Sequence, residues 1–336
     1  MRYLGMDYGG FTVGIYDDSS KMFDHGIQRT DNALYRALFA LYHHYPAFPI
    51  LLKIPLKIIS YALIRLLIRQ VEQKQFDAVI LSNNRQHLWY DPSRRLSKKF
   101  GKPIINAHCV WVYINAAKHH PKFAYPALVF YSTNRQDLLV YLKDRRSMHI
   151  LDGSIDTPES TYEGLGSLTI TTWVRKLKES VSWVGHPTAA QPNVYALYKK
   201  RGSLGKAVVS LKKEVSKSSH VFSSHLFKEE FPRLMEKKRK EYSSIEKFKN
   251  DWVASQQQLL RDVLINVQKK YLNRSIRTFI IAGGISRNPS FKRLGGWLTT
   301  PSEISGMENG GKAAAFMGHS LCKEGLTIEH DKWKNY

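Results

Sequence analysis

Cysteine is scarce: Cys109 and Cys322 are the only two in 336 residues. No Cys-x-x-Cys pair exists, which excludes a thiolate zinc site, and two thiols cannot build a disulfide framework. Both are expected as reduced, buried small residues. Acidic side chains are also short, with Asp+Glu 28 against Lys+Arg 51 and a net charge of +23. An excess that large points to a polyanionic partner, nucleic acid first and an anionic membrane surface second, and is silent on fold. Long uncharged apolar runs are missing. The most apolar segment, 48–69, is interrupted by Pro49, Lys53, Pro55, Lys57, Arg65 and Arg69, so it falls short of the roughly 18 uncharged residues of a spanning helix. No basic-then-apolar leader opens the chain, and a cytoplasmic location is the expectation. The apolar share of 43% and charged share of 24% exclude wholesale disorder, and the length favours two domains over one.

What is present reads as alternating strands and helices. RYLGMD (2–7) and TVGIYD (12–17) flank a Tyr8-Gly9-Gly10 turn, the pattern of a hairpin. DAVILS (77–82) and PIINAH (103–108) read as strands, with RRLSKKFG (94–101) between them as a helix ending at its glycine. ALVFYST (127–133) and DLLVYLK (137–143) form a second hairpin candidate, with SMHILDG (147–153) beside it. TFIIAGG (278–284) is a buried strand closing on a glycine pair. SRNPSFKRLGGWL then begins a helix, and KAAAFMGHSLCKEG (312–325) is a small-residue helix. This order predicts a layered α/β chain. Residues 195–250 are rich in Lys and Ser and read as an exposed insertion, in which Lys237, Lys238, Arg239 and Lys240 are the densest cluster and the candidate nucleic-acid contact. From Pro55 to Arg69 a mostly apolar helix is expected, packed in a core or offered to a partner.

Two constellations carry chemistry. Asp7, at the end of a strand, is followed by Gly9, Gly10 and Thr12. Glycines let backbone N–H groups approach phosphate, and the carboxylate suits Mg2+ held through water; the bland alternative is an ordinary hairpin turn. Ala282-Gly283-Gly284 followed by Asn288 lets the backbone pass close beside a nucleotide, or is simply a tight strand-to-helix connection.

Together these motifs resemble the actin/hexokinase/Hsp70 ATPase superfamily, in which an N-terminal phosphate hairpin and a C-terminal adenosine turn close on ATP from two lobes. Within it, the order MRYLGMDYGGFTVGIYDD, FGKPIINAHCVWVYINAA, YPALVFYSTNRQDLL, HVFSSHLFKEE, FIIAGGISRNPSFKRL and MENGGKAAAFMGHSL is similar to the TsaD/Kae1 family of tRNA threonylcarbamoyladenosine synthases. The resemblance implies a two-lobed actin-like (ASKHA) fold with an interlobe nucleotide cleft. It places an N-terminal lobe over 1–125 and a C-terminal lobe over 126–336, with the adenosine turn at 278–290. It implies ATP or threonylcarbamoyl-AMP with Mg2+ as ligands, tRNA as substrate, and a second ASKHA-fold subunit or homodimer docked through the helix at 55–69. By position it adds Ser132, Asn134 and Asp156 to the nucleotide contacts.

The departures are specific. The family's metal motif is His-x-x-x-His; here His108 is followed at that spacing by Val112, which cannot ligate. Glu308 stands at the family's acidic ligand, so His108 and Glu308 are the remaining metal candidates, and tight iron or zinc is not expected. Ser132-Thr133-Asn134-Arg135 replaces a glycine-bearing hairpin. The expected function is therefore threonylcarbamoyl transfer to tRNA adenosine with reduced or lost activity. The alternatives are an O-carbamoyltransferase of NodU/TobZ type, a small-molecule kinase, or a non-catalytic nucleotide- and tRNA-binding subunit.

Overall fold

The computed structural model describes residues 1–7, 12–27, 62, 65–69, 71–83, 93–132, 137–153, 237, 239–244, 247–248, 251, 261–262, 264–272, 275–287, 294–306 and 309–328. Its labelled elements are β1 (Arg2–Asp7), β2 (Thr12–Asp17), β3 (Met22–Ile27), β4 (Ala78–Asn83), α1 (Ser93–Phe100), β5 (Ile104–His108), α2 (Cys109–Ala116), β6 (Ala127–Ser132), β7 (Asp137–Leu142), β8 (Ser147–Gly153), β9 (Thr278–Ala282), β10 (Trp297–Thr299), α3 (Gly310–Cys322) and β11 (Thr327–Ile328). The chain forms two compact units. Met1–Pro121, Asp144–Met148 and Thr300–Tyr336 make the first, and Lys122–Lys143 with His149–Thr299 make the second.

In the first unit the strand order is β3-β2-β1-β4-β5. The hairpin expected from the sequence is present, with Arg2 opposite Asp17 and Asp7 opposite Thr12. β3 continues the meander and was not legible, because MFDHGI mixes charge and glycine into the strand period. β1, β4 and β5 run parallel, as strands joined by helical crossovers do. Between β4 and β5, α1 stops at Gly101, whose φ of 60° suits glycine at a helix C-terminus.

α3 lies across β1, β2 and β4 and against α2. Its run of Gly and Ala is explained by that packing. A Cβ on Gly5 of β1 would strike the Gly311 carbonyl and the Ala315 amide, and one on Gly14 of β2 would lie 2.7 Å from Lys312 Cα. Helix and sheet therefore meet backbone to backbone. The expected burial of both cysteines is corrected here: Cys109 is half-buried, and Cys322, the last residue of α3, is exposed. Leu67 is fully buried and Leu66 half-buried, so Leu67 belongs to a core and offers no surface. Ile58, Ile59 and Leu63, the other apolar residues of the helix expected at 55–69 as a partner contact, lie outside the described residues.

In the second unit β6 is parallel to β9 and antiparallel to β7, β10 is parallel to β9, and residues 149–153 of β8 pair antiparallel with β7. Every residue of β9 is buried, as expected of an apolar run covered on both faces. Gly296-Trp297-Leu298 turns into strand β10, where the sequence suggested a continuing helix; Gly296 has φ 81°, which leaves the helical region. Among the described residues no helix is long and apolar enough to cross a membrane.

Candidate functional site

The carboxyl ends of β1, β4 and β5 collect polar residues by register. Asp7 lies beside Ser82, and Asn83 beside His108. Asp7 is 1% exposed. The Ser82 hydroxyl donates to Asp7 Oδ1 at 2.7 Å, and the Tyr113 hydroxyl, from α2, donates to Oδ2 at 3.3 Å. A third side is closed by α3: a Cβ on Gly310 would collide with the Asp7 carboxylate, so only glycine fits there. The carboxylate thus sits at the first turn of α3, where peptide N–H groups present partial positive charge. One turn residue on, the Gly311 amide donates to Thr12 Oγ1 at 2.8 Å, which uses the Thr12 side chain to cap a helix that lacks a capping side chain at Asn309.

Asp7 and Thr12 are therefore brought together, and the structure adds Ser82, Tyr113, Gly310 and Gly311, which sequence reasoning missed. Ser82 closes an apolar strand and carried no motif. Tyr113 directly follows Val112, and its hydroxyl gave no periodic signal. Gly9 and Gly10 lie outside the described residues, as do Asn134, Asp156, Asn288, Glu308 and Lys238.

In the second unit Tyr131 pairs with Ala282, so Ser132 and Gly283 leave β6 and β9 at the same edge. Gly283 has φ 82°, and its carbonyl accepts both the Ser286 hydroxyl at 2.8 Å and the Ser286 amide at 3.1 Å. Gly284 opens the short 3-10 turn Gly284–Arg287. A positive φ at this position requires glycine, which accounts for one of the two glycines with no ligand needed.

His108 is the N-cap of α2: its Nδ1 accepts the Val110 amide at 3.4 Å. Val112 is fully buried. Glu308, the other metal candidate, lies outside the described residues, and among the described residues no group of three His, Cys, Asp or Glu could hold a metal ion. Asp7, an oxygen donor, fits Mg2+ better than a softer metal.

Of the basic cluster, Lys237 and Lys240 are exposed. Arg239 is half-buried, donates Nη1–H to the Tyr242 carbonyl at 3.0 Å and lies over the Phe248 ring at 5.9 Å, so it holds its own turn together. The Tyr242 hydroxyl donates to Asp251 at 2.8 Å, and burial with that carboxylate pushes the phenol up to about 12.

Two α/β units of this build, one with a strand–hairpin–helix site around a buried aspartate, define an actin-like ATPase (ASKHA) fold. No protein-family model and no curated protein matches the sequence. Solved structures do match. HypF from T. kodakarensis superposes with a TM-score of 0.55 at 10% identity, covering 97% of this chain and 48% of that one. Full-length HypF in its phosphate- and nucleotide-bound form gives 0.53 at 11% identity, covering 96% and 56%. This chain therefore spans about half the length of those HypF proteins. The activator of 2-hydroxyisocaproyl-CoA dehydratase from Clostridium difficile, with bound ADPNP, is matched over 97% of this chain and 98% of that one, at 10% identity and a TM-score of 0.49.

Proposed function

We propose that this chain is a nucleotide-binding ASKHA protein that takes ATP with Mg2+ and acts on, or alongside, tRNA. The observation that carries the nucleotide part is the buried Asp7, clamped at the strand ends by Ser82 and Tyr113 and followed by Gly9-Gly10. A buried carboxylate at the carboxyl edge of parallel strands, beside a helix N-terminus, suits a hydrated Mg2+–phosphate pair. The nucleotide-bound form of HypF, which shares the fold, supports the same reading. Asp7 would orient the metal's waters, Thr12 would hold the start of α3, and Gly283 would keep the second glycine turn open to a base. Calorimetry with ATP and Mg2+ tests this: Asp7→Asn is expected to abolish the Mg2+-dependent part of binding.

The tRNA part rests on the resemblance and on the charge of +23. A binding role, as a tRNA- and nucleotide-holding subunit, is favoured over full threonylcarbamoyl transfer, because His108 caps α2 and Val112 fills the second ligand position. Phosphate contacts release counterions, so tRNA affinity should fall steeply with salt. Neutralising Lys237 and Lys240 is expected to weaken binding and flatten that slope. Salt-insensitive binding, or none, counts against tRNA. Nucleoside mass analysis of cells lacking the protein separates this role from a small-molecule kinase or O-carbamoyltransferase.

A further inference from the structure

We propose that Tyr113 is a positioning residue for Asp7: its phenol, working against Ser82, fixes the rotation of the carboxylate and thereby sets how tightly Mg2+ is held with the nucleotide. This rests on the nucleotide reading above and assigns a role to a residue that no motif marks.

The terminal torsion of an aspartate is broad and roughly two-fold, so an isolated carboxylate swings freely. At Asp7 the two oxygens are held from different elements. Ser82 of β4 donates to Oδ1 at 2.7 Å, and Tyr113 of α2 donates to Oδ2 at 3.3 Å. Those donors come from 75 and 106 positions along the chain, and they span the carboxylate like two ends of a bar. The missing side chain at Gly310 leaves room for Oδ2 at that setting, since a Cβ there would collide with it.

The hydroxyl of Tyr113 is not needed to bury α2. Val110, Trp111, Val112, Ile114 and Ala116 already supply the apolar surface, and a phenylalanine ring would pack as the tyrosine ring does. What the hydroxyl adds is a donor that reaches the Asp7 carboxylate. Helix α2, which carries Tyr113, is tied to the end of β5 by its N-cap: His108 closes the strand and its Nδ1 accepts the Val110 amide. Hydrogen bonds that orient a metal-facing ligand are worth about 10–100-fold in metal affinity. The 3.3 Å bond is long for O–H···O, which places Tyr113 at the lower end.

The test is Tyr113→Phe in the full chain, with ATP binding measured by calorimetry at increasing Mg2+ and without Mg2+. The expected result is an unchanged affinity for Mg2+-free ATP and a Mg2+ half-saturation raised about 10-fold, alongside the fall in melting temperature that loss of a buried donor to a carboxylate brings. A purely structural tyrosine would lower the melting temperature or shift the Mg2+-free affinity while leaving the Mg2+ half-saturation where it was, and that outcome overturns the proposal. If Tyr113→Phe keeps wild-type Mg2+ dependence while Asp7→Asn loses it, positioning by Tyr113 is wrong and the nucleotide site stands. If the unaltered protein binds no ATP with Mg2+, the nucleotide reading fails and the role of Tyr113 fails with it.

Discussion

The Thr12 hydroxyl accepts the Gly311 amide at 2.8 Å, joining residues 299 positions apart. Both are buried, and the bond ties the second strand of the hairpin to the first turn of α3 just where Gly310 makes way for Asp7. The start of the helix and the edge of the site are one construction.

Thr12→Val keeps the shape of the side chain and removes the acceptor. The Gly311 N–H is then buried without its partner, and a loss of about 1–3 kcal/mol is expected in urea unfolding. Thr12→Ser, which keeps the hydroxyl, should recover most of it.

The contact of α3 with the sheet is backbone to backbone at Gly5 and Gly14. Gly5→Ala has only fixed main chain to push against, at the Gly311 carbonyl and the Ala315 amide. It is expected to cost about 3 kcal/mol by overpacking. Gly101→Ala in the same assay isolates the effect of φ, because nothing stands near its Cβ.

His119 packs against Phe23 and Phe316, with Glu303 at 3.6 Å. Burial pulls its imidazole below the ordinary range, against the opposing pull of Glu303. The unfolded chain therefore takes the proton first as pH falls, and stability declines from about pH 6.5 down through the folded value. His119→Phe should flatten that acid limb in melting curves taken across pH. An unchanged limb would remove His119 as its cause.

Lys118 is 4% exposed and pairs with Glu324 at 3.3 Å, while also donating to the Arg145 carbonyl at 3.2 Å. Burial lowers its amine below the usual lysine range, and Glu324 works in the other direction. Glu324→Ala strands that charge, and a loss of about 3 kcal/mol is expected. Lys118→Met combined with Glu324→Leu should lose far less, since no unpaired charge remains. The comparison in chemical unfolding separates the pairing from the packing.

His108 as helix cap makes a further expectation concrete. His108→Asn, which also caps, should leave stability nearly unchanged, whereas His108→Leu costs about 1 kcal/mol. Metal analysis of dialysed protein should find no stoichiometric iron or zinc in either variant or in the unaltered chain.

Where side chains follow a local period, residue order is enough to specify the element. Alternating and continuous apolar runs specify β1, β2, β4, β6, β7 and β9, and Gly101 specifies the end of α1, because strand burial and a positive φ are constraints each residue meets alone. The likeness to actin-like ATPases was legible for the same reason: glycine-bearing turns at strand ends are local. The tertiary structure alone decided which polar groups meet. Ser82 and Tyr113 reach Asp7 through the parallel register of β1 with β4 and the helix that springs from β5, and His108 becomes a cap because β5 ends on it. A hydrogen bond is short and directional, so it depends on where distant elements come to rest, and no window of neighbouring residues contains that information.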